Sequence, residues 1–130
     1  MKRNLLLAGT LFALLAVLAG AFGSHALKSI LSPDDLTVYE TAVRYQFYHA
    51  LALLFTSLYL NERNAGFTRF AGILFASGII SFSGSLYLIT YFKSQSISIP
   101  LPVALATPLG GVMFACGWLV LAVSVFKNKI

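Results

Sequence analysis

Acidic residues are scarce in this chain. Four occur among 130 residues: Asp34, Asp35, Glu40 and Glu62. None falls within a long apolar run, so no carboxylate is available there to orient a histidine, and nothing resembles a catalytic triad. Cysteine is rarer still. Cys116 stands alone in an apolar stretch, which rules out an internal disulfide, and it lacks a basic neighbour that would make it reactive. Two histidines fall short of the three or four protein ligands usual for zinc. The chain contains no N-x-S/T sequon, Gly-rich phosphate loop or low-complexity tract. No internal repeat relates its two halves, which leaves an inverted-repeat transporter without support.

Apolar side chains are abundant: 58% of residues are hydrophobic and 10% charged, against about 45–50% and 25% in a soluble domain. Residues 4–27, 45–61, 70–92 and 94–126 carry no Lys, Arg, Asp or Glu. A helix rises about 1.5 Å per residue, so about 20 apolar residues cross a ~30 Å hydrocarbon layer. The pattern predicts an all-α integral membrane bundle of four transmembrane helices. It forms one membrane domain over residues 1–130, with no length left for a soluble catalytic domain, so the chain does not read as an enzyme. The net charge of +5 is no nucleic-acid signal, because the basic residues sit at the ends of apolar runs. Met1-Lys2-Arg3 and the small residues Ala19-Gly20-Ala21 resemble a secretory signal. The apolar run exceeds the ~7–15 residues of a signal core, so a retained helix is expected.

The first helix is expected over about 5–27, with Gly9, Ala13, Ala16, Gly20 and Gly23 forming a small-residue face for close packing. Ser32-Pro33-Asp34-Asp35 reads as a helix start. The second helix then runs either from 33 to 61, entering the membrane near Arg44, or from 45 to 61 after a separate interfacial helix. The third is expected over about 67–92, with Ser77, Ser81 and Ser85 spaced by four, and the fourth over about 103–126. Thr107-Pro108 either kinks the fourth helix or marks its start. Lys2, Arg3, Arg63, Arg69, Lys127 and Lys129 fall on one side, against Lys28, Arg44 and Lys93 on the other. That asymmetry predicts cytoplasmic N- and C-termini. Tyr87, Tyr91 and Phe92 read as an aromatic belt at the opposite interface.

Polar side chains are costly in hydrocarbon, so those inside the spans are the candidate functional residues. His25, Tyr45, Gln46, His49, Ser85, Tyr87 and Thr107 are expected in one polar layer in the outer half of the bundle, His25 within about half the bilayer thickness (~15 Å) of His49. Three readings follow. The layer is a hydrogen-bond network that fixes helix packing in a non-enzymatic scaffold or partner subunit. Alternatively it handles a small solute, a lipid or protons. Least supported is haem or metal ligation by His25 and His49. Glu40 and Arg44, four apart, read as an interfacial ion pair or as an anion-binding mouth. The expected partners are the lipid bilayer and either a second copy or another membrane protein.

The same segments carry a family resemblance. Residues 20–27, Gly-Ala-Phe-Gly-Ser-His-Ala-Leu, resemble the "GAFGAHAL" end of the first helix in a family of small membrane proteins. Residues 41–53 are similar to its "TA..YQ..HALAL" stretch, and residues 82–87, 107–111 and Gly117-Trp118 to its later motifs. This is domain-of-unknown-function family 423, which includes eukaryotic transmembrane protein 256. Ser24 replaces the family's alanine, a small-for-small change. The resemblance spans nearly the whole chain. It implies a multi-pass plasma-membrane protein and draws attention to the polar layer, but it implies no activity.

Overall fold

The computed structural model describes residues 1–127; Lys129, counted above in the loop charges, lies outside the described residues. Helix α1 (Lys2–His25) leads through a 3-10 turn (Leu27–Ser29) to α2 (Pro33–Tyr59). Then come α3 (Ala65–Gly78), a π turn (Ile79–Ser83) and α4 (Gly84–Ser94), which together make one 30-residue rod over Ala65–Ser94. Helix α5 (Leu101–Lys127) closes the chain. The described residues contain no strand. Three helical segments, Lys2–Ser29, Ala65–Ser94 and Leu101–Lys127, are long and apolar enough to cross a membrane.

Local chemistry sets the ends of α2. Ser32 Oγ accepts from the Asp35 backbone N–H at 3.1 Å and donates to Asp35 Oδ2 at 2.8 Å, while Pro33 opens the first turn. At the far end, Asn64 Oδ1 accepts from Asn61 N–H at 2.8 Å and Asn64 Nδ2 donates to the Tyr59 carbonyl at 2.8 Å. These bonds close the tight link into α3 with a buried asparagine. Helix α2 is continuous past Arg44, without the break of a separate interfacial helix. Likewise α5 begins at Leu101 and carries Pro108 in its interior, so that proline does not mark the helix start.

Close approaches at glycine position the helices. A Cβ at Gly9 would meet Leu54 at 2.8 Å, and one at Gly23 would meet Tyr39 at 2.6 Å, so α1 lies tightly along α2. Gly117 faces Phe75 and Gly78 faces Phe114, joining α3 to α5. At Gly110, α5 touches the backbone of the π turn, where a Cβ would lie 2.6 Å from Phe82 Cβ and 2.7 Å from Phe82 Cα. The core gathers around Leu53, Phe75, Ile79, Phe114 and Leu121, with Leu5 and Ala71 beside them. The outer surface is apolar too: Leu11, Leu18, Leu58, Ile80, Val112 and Leu119 are all more than half exposed. Soluble monomers rarely expose contiguous apolar surface on this scale.

Helix α2 is the least apolar of the long helices and packs against α1, α3, α4 and the π turn. Its neighbours shield Gln46, His49, Thr56 and Ser57, all buried.

Candidate functional site

Three polar side chains of α2 hold it to backbone carbonyls of antiparallel α1. Tyr39 Oη donates to Ala19 O at 2.7 Å, Gln46 Nε2 to Phe12 O at 2.9 Å, and Ser57 Oγ to Lys2 O at 2.8 Å. Partners descend along α1 as they ascend along α2, so these bonds fix one register over the full length of the pair. From the π turn, Ser83 Oγ donates to Ala42 O at 2.8 Å and Ser81 Oγ to Ala106 O at 2.8 Å. In each case a hydroxyl or amide reaches a carbonyl of a neighbouring helix, which satisfies the polar group away from water.

Within this framework the expected layer separates into three clusters. The first joins α1, α2 and α4: buried Gln46 accepts through Oε1 from Tyr87 Oη at 2.8 Å, and the Tyr87 ring lies 5.3 Å from that of Tyr39. In the second, between α4 and α5, Ser85 Oγ and Thr107 Oγ1 lie 2.8 Å or less apart, at 2.7 Å, and Ser85 Oγ also donates to Phe82 O.

The third cluster is built on His49. Its imidazole stacks on Phe114 with centroids 3.5 Å apart and planes 8° from parallel, and Tyr45, Phe75 and Trp118 surround it at 5.8–6.1 Å. Trp118 Nε1–H lies 3.2 Å from His49 Nε2, and His49 Nδ1 lies 2.8 Å from the Tyr45 carbonyl. An indole nitrogen can only donate, so Nε2 is the acceptor and the ring proton sits on Nδ1, donating to Tyr45 O. Both ring nitrogens are thereby taken.

His25 is not part of this layer. It lies exposed at the end of α1, while the Gln46–Phe12 bond and the contact of Ala50 O with Gly9 place His49 beside residues 9–12 of that helix. Along α1 this separates the histidines by roughly 20 Å, more than the expected ~15 Å. Tyr45 contributes its ring and carbonyl but no hydroxyl bond to the clusters. Glu40 and Arg44 do not form an ion pair either. Arg44 Nη2 reaches Thr41 Oγ1 at 3.5 Å, and the ion pair among the described residues is Lys93–Asp35 at 3.0 Å, tying the end of α4 to the start of α2. That contact, with the Ser32 hydroxyl, holds the Asp35 carboxyl below its ordinary range.

Sequence reasoning did not place Tyr39, Ser83, Phe114 or Trp118 among the candidate site residues, although Ser83 and Trp118 fall in the family motifs. Trp118 carried a usable signal, since a lone tryptophan deep in an apolar run needs an acceptor for its indole N–H. Tyr39 carried none, because only the α1–α2 register shows which carbonyl it meets.

Comparisons with known proteins point to a family of membrane proteins. The family model described as "Protein of unknown function (DUF423)" matches residues 19–111. The UPF0382 membrane protein YwdK of Bacillus subtilis is 40% identical over 121 residues, covering 92% of this chain and 93% of its own. A UPF0382 membrane protein of Staphylococcus aureus (strain bovine RF122 / ET3-1) is 40% identical over 119 residues, covering 92% of each chain. One from Haemophilus influenzae is 35% identical over 129 residues, covering 99% of this chain and 98% of its own. No solved structure matches. With its apolar helices, its buried polar register bonds and these relatives, the chain belongs to the DUF423 (UPF0382) family and is a multi-pass helical membrane protein.

Proposed function

We propose that the protein is a non-enzymatic scaffold or partner subunit of the bacterial cell membrane, crossed by all four long helical rods, with both termini cytoplasmic. Its polar layer serves to set helix register. The observation that carries this reading is His49, whose two ring nitrogens are both used within the bundle. The same holds more widely: among the described residues, every buried side-chain nitrogen and oxygen has a hydrogen-bond partner. A fourth crossing is supported by α2 itself, which at 27 residues extends about 40 Å and lies along the whole of α1. Cytoplasmic termini are supported by the basic residues at the end of the bundle that carries Lys2, Arg63, Arg69 and Lys127.

A second reading has one observation in its favour. A groove of 340 Å³ opens between α1 and the α3–α4 rod, with Gln46 and Tyr87 among apolar walls of Phe12, Leu15, Ile79 and Ile80. It suits a small amphipathic solute or a lipid tail with a polar head. Haem or metal ligation by His25 and His49 gains no support, since the two do not face each other.

Native mass spectrometry of protein released gently from its own membrane tests these readings, together with melting of His49→Ala and Gln46→Ala in one detergent. The scaffold reading expects a chain without added mass and variants that melt early. An adduct lost in Gln46→Ala, with melting unchanged, would replace it with the groove reading.

A further inference from the structure

The α1–α2 register places charge deep along the bundle. Val43 packs against Gly20, and Arg44 lines a trough with Ala16, Val17, Gly20, Ala21, Phe47 and Tyr48. Arg44 therefore stands beside the middle of α1, nine residues or about 13 Å below the level of the Asp35–Lys93 pair. Glu40 lies one turn nearer that level and lines the adjoining trough with Gly20, Gly23 and Ser24. Both side chains are exposed, and neither has an ion-pair partner among the described residues. Around them, Val17, Leu18 and Phe22 of α1 face outward as well. Charged groups at this depth are rare unless something pairs with them.

We propose that this face is the interface of a two-fold homodimer, in which Glu40 of each copy pairs with Arg44 of the other across the trough. A two-fold axis along the bundle sets α2 beside its own copy in parallel. Opposite charges one turn apart then meet reciprocally, as an isologous contact requires. Gly20 and Ala21 supply the shallow relief that lets two helix pairs approach closely. The face is thus complementary to itself in charge and in shape. An anionic lipid phosphate fits less well, because Glu40 would lie one turn from it. The inference rests on α2 crossing the bilayer.

The test uses the full chain in its own membrane, with Cys116→Ser as background. Thr41→Cys, between the two charges, is expected to cross-link into a dimer, and Val112→Cys on the exposed side of α5 is expected not to. In single-molecule photobleaching, Arg44→Glu or Glu40→Lys should weaken dimerisation roughly tenfold or more, and Glu40→Arg combined with Arg44→Glu should restore it. Gly20→Leu, which fills the trough, should give a folded monomer by melting. Wild-type protein that bleaches as a monomer, or dimers indifferent to the single charge reversals, would overturn the proposal. So would a monomer that retains an anionic phospholipid lost in Arg44→Gln. A membrane-impermeant maleimide separates the two failures. Rapid labelling of Leu51→Cys, on the exposed side of α2 within its uncharged run, would place the middle of α2 in water and sink the four-crossing reading itself, whereas protection there without a dimer would sink only the interface.

Discussion

At the residue scale, the bundle depends on polar groups that each have a specific partner. His49 fills an aromatic compartment and takes the indole proton of Trp118. Truncation in His49→Ala removes a stacked ring and leaves the indole N–H without an acceptor. A stability loss of about 2 kcal/mol or more is expected, read as an early melting transition. Trp118→Phe keeps an aromatic ring and removes the single bond, so it should cost about 1 kcal/mol, near the membrane average for one hydrogen bond. If the two variants melted alike, ring packing around His49 would not contribute as the geometry implies. Half of this cluster was visible beforehand in the positions of Tyr45 and His49, four apart on one helical face. Its other half, Phe114 and Trp118, comes from a helix far away in sequence, and no local pattern links the two.

At the element scale, glycines decide how near the helices stand. Gly110 and Gly84 make a matched comparison. A methyl group at Gly110 meets backbone atoms of Phe82, which cannot swing aside, whereas one at Gly84 meets nothing within 4 Å. Gly110→Ala should destabilise by about 1–3 kcal/mol, the usual range for overpacking. Gly84→Ala should be neutral or stabilise by up to about 1 kcal/mol, because alanine favours helix over glycine. Chemical denaturation of the two variants in matched micelles checks both signs. The π turn beside Gly110 was not foreseen: residues 79–83 read as continuous helix, and the widened turn becomes apparent only where Ser81 and Ser83 each turn to a different neighbouring helix.

For the whole molecule, the Asp35–Lys93 contact ties the start of α2 to the end of the α3–α4 rod outside the apolar zone. The folded state lowers the Asp35 pKa from its model-compound value of 3.8, chiefly through the Lys93 hydrogen bond. A group depressed in this way adds stability above its unfolded pKa and loses it as pH falls through the lower folded value. The Asp35 contribution to melting temperature should therefore be level above about pH 5 and fall as pH drops below about 4. In Lys93→Met the part of that fall due to Asp35 should shrink. A wild-type melting curve rising on acidification would contradict the contact. The exposed Lys93 ammonium makes the effect small, and added salt should reduce it further.

Four uncharged runs, a capped start at Ser32 and polar residues at helical spacing determined an all-helical membrane protein by themselves. Apolar length and capping are local properties, and so the sequence alone was enough for them. Tertiary structure decided what depends on register. It set Arg44 in a trough beside Ala16 and Gly20, separated His25 from His49, and divided one layer into three clusters. The clusters at His49 and Ser85 turn on how α5 meets α2 and α4, whereas the places of Arg44 and His25 turn on which carbonyl of α1 faces which side chain of α2. Close packing at glycine settles that choice, and neither helix specifies it alone.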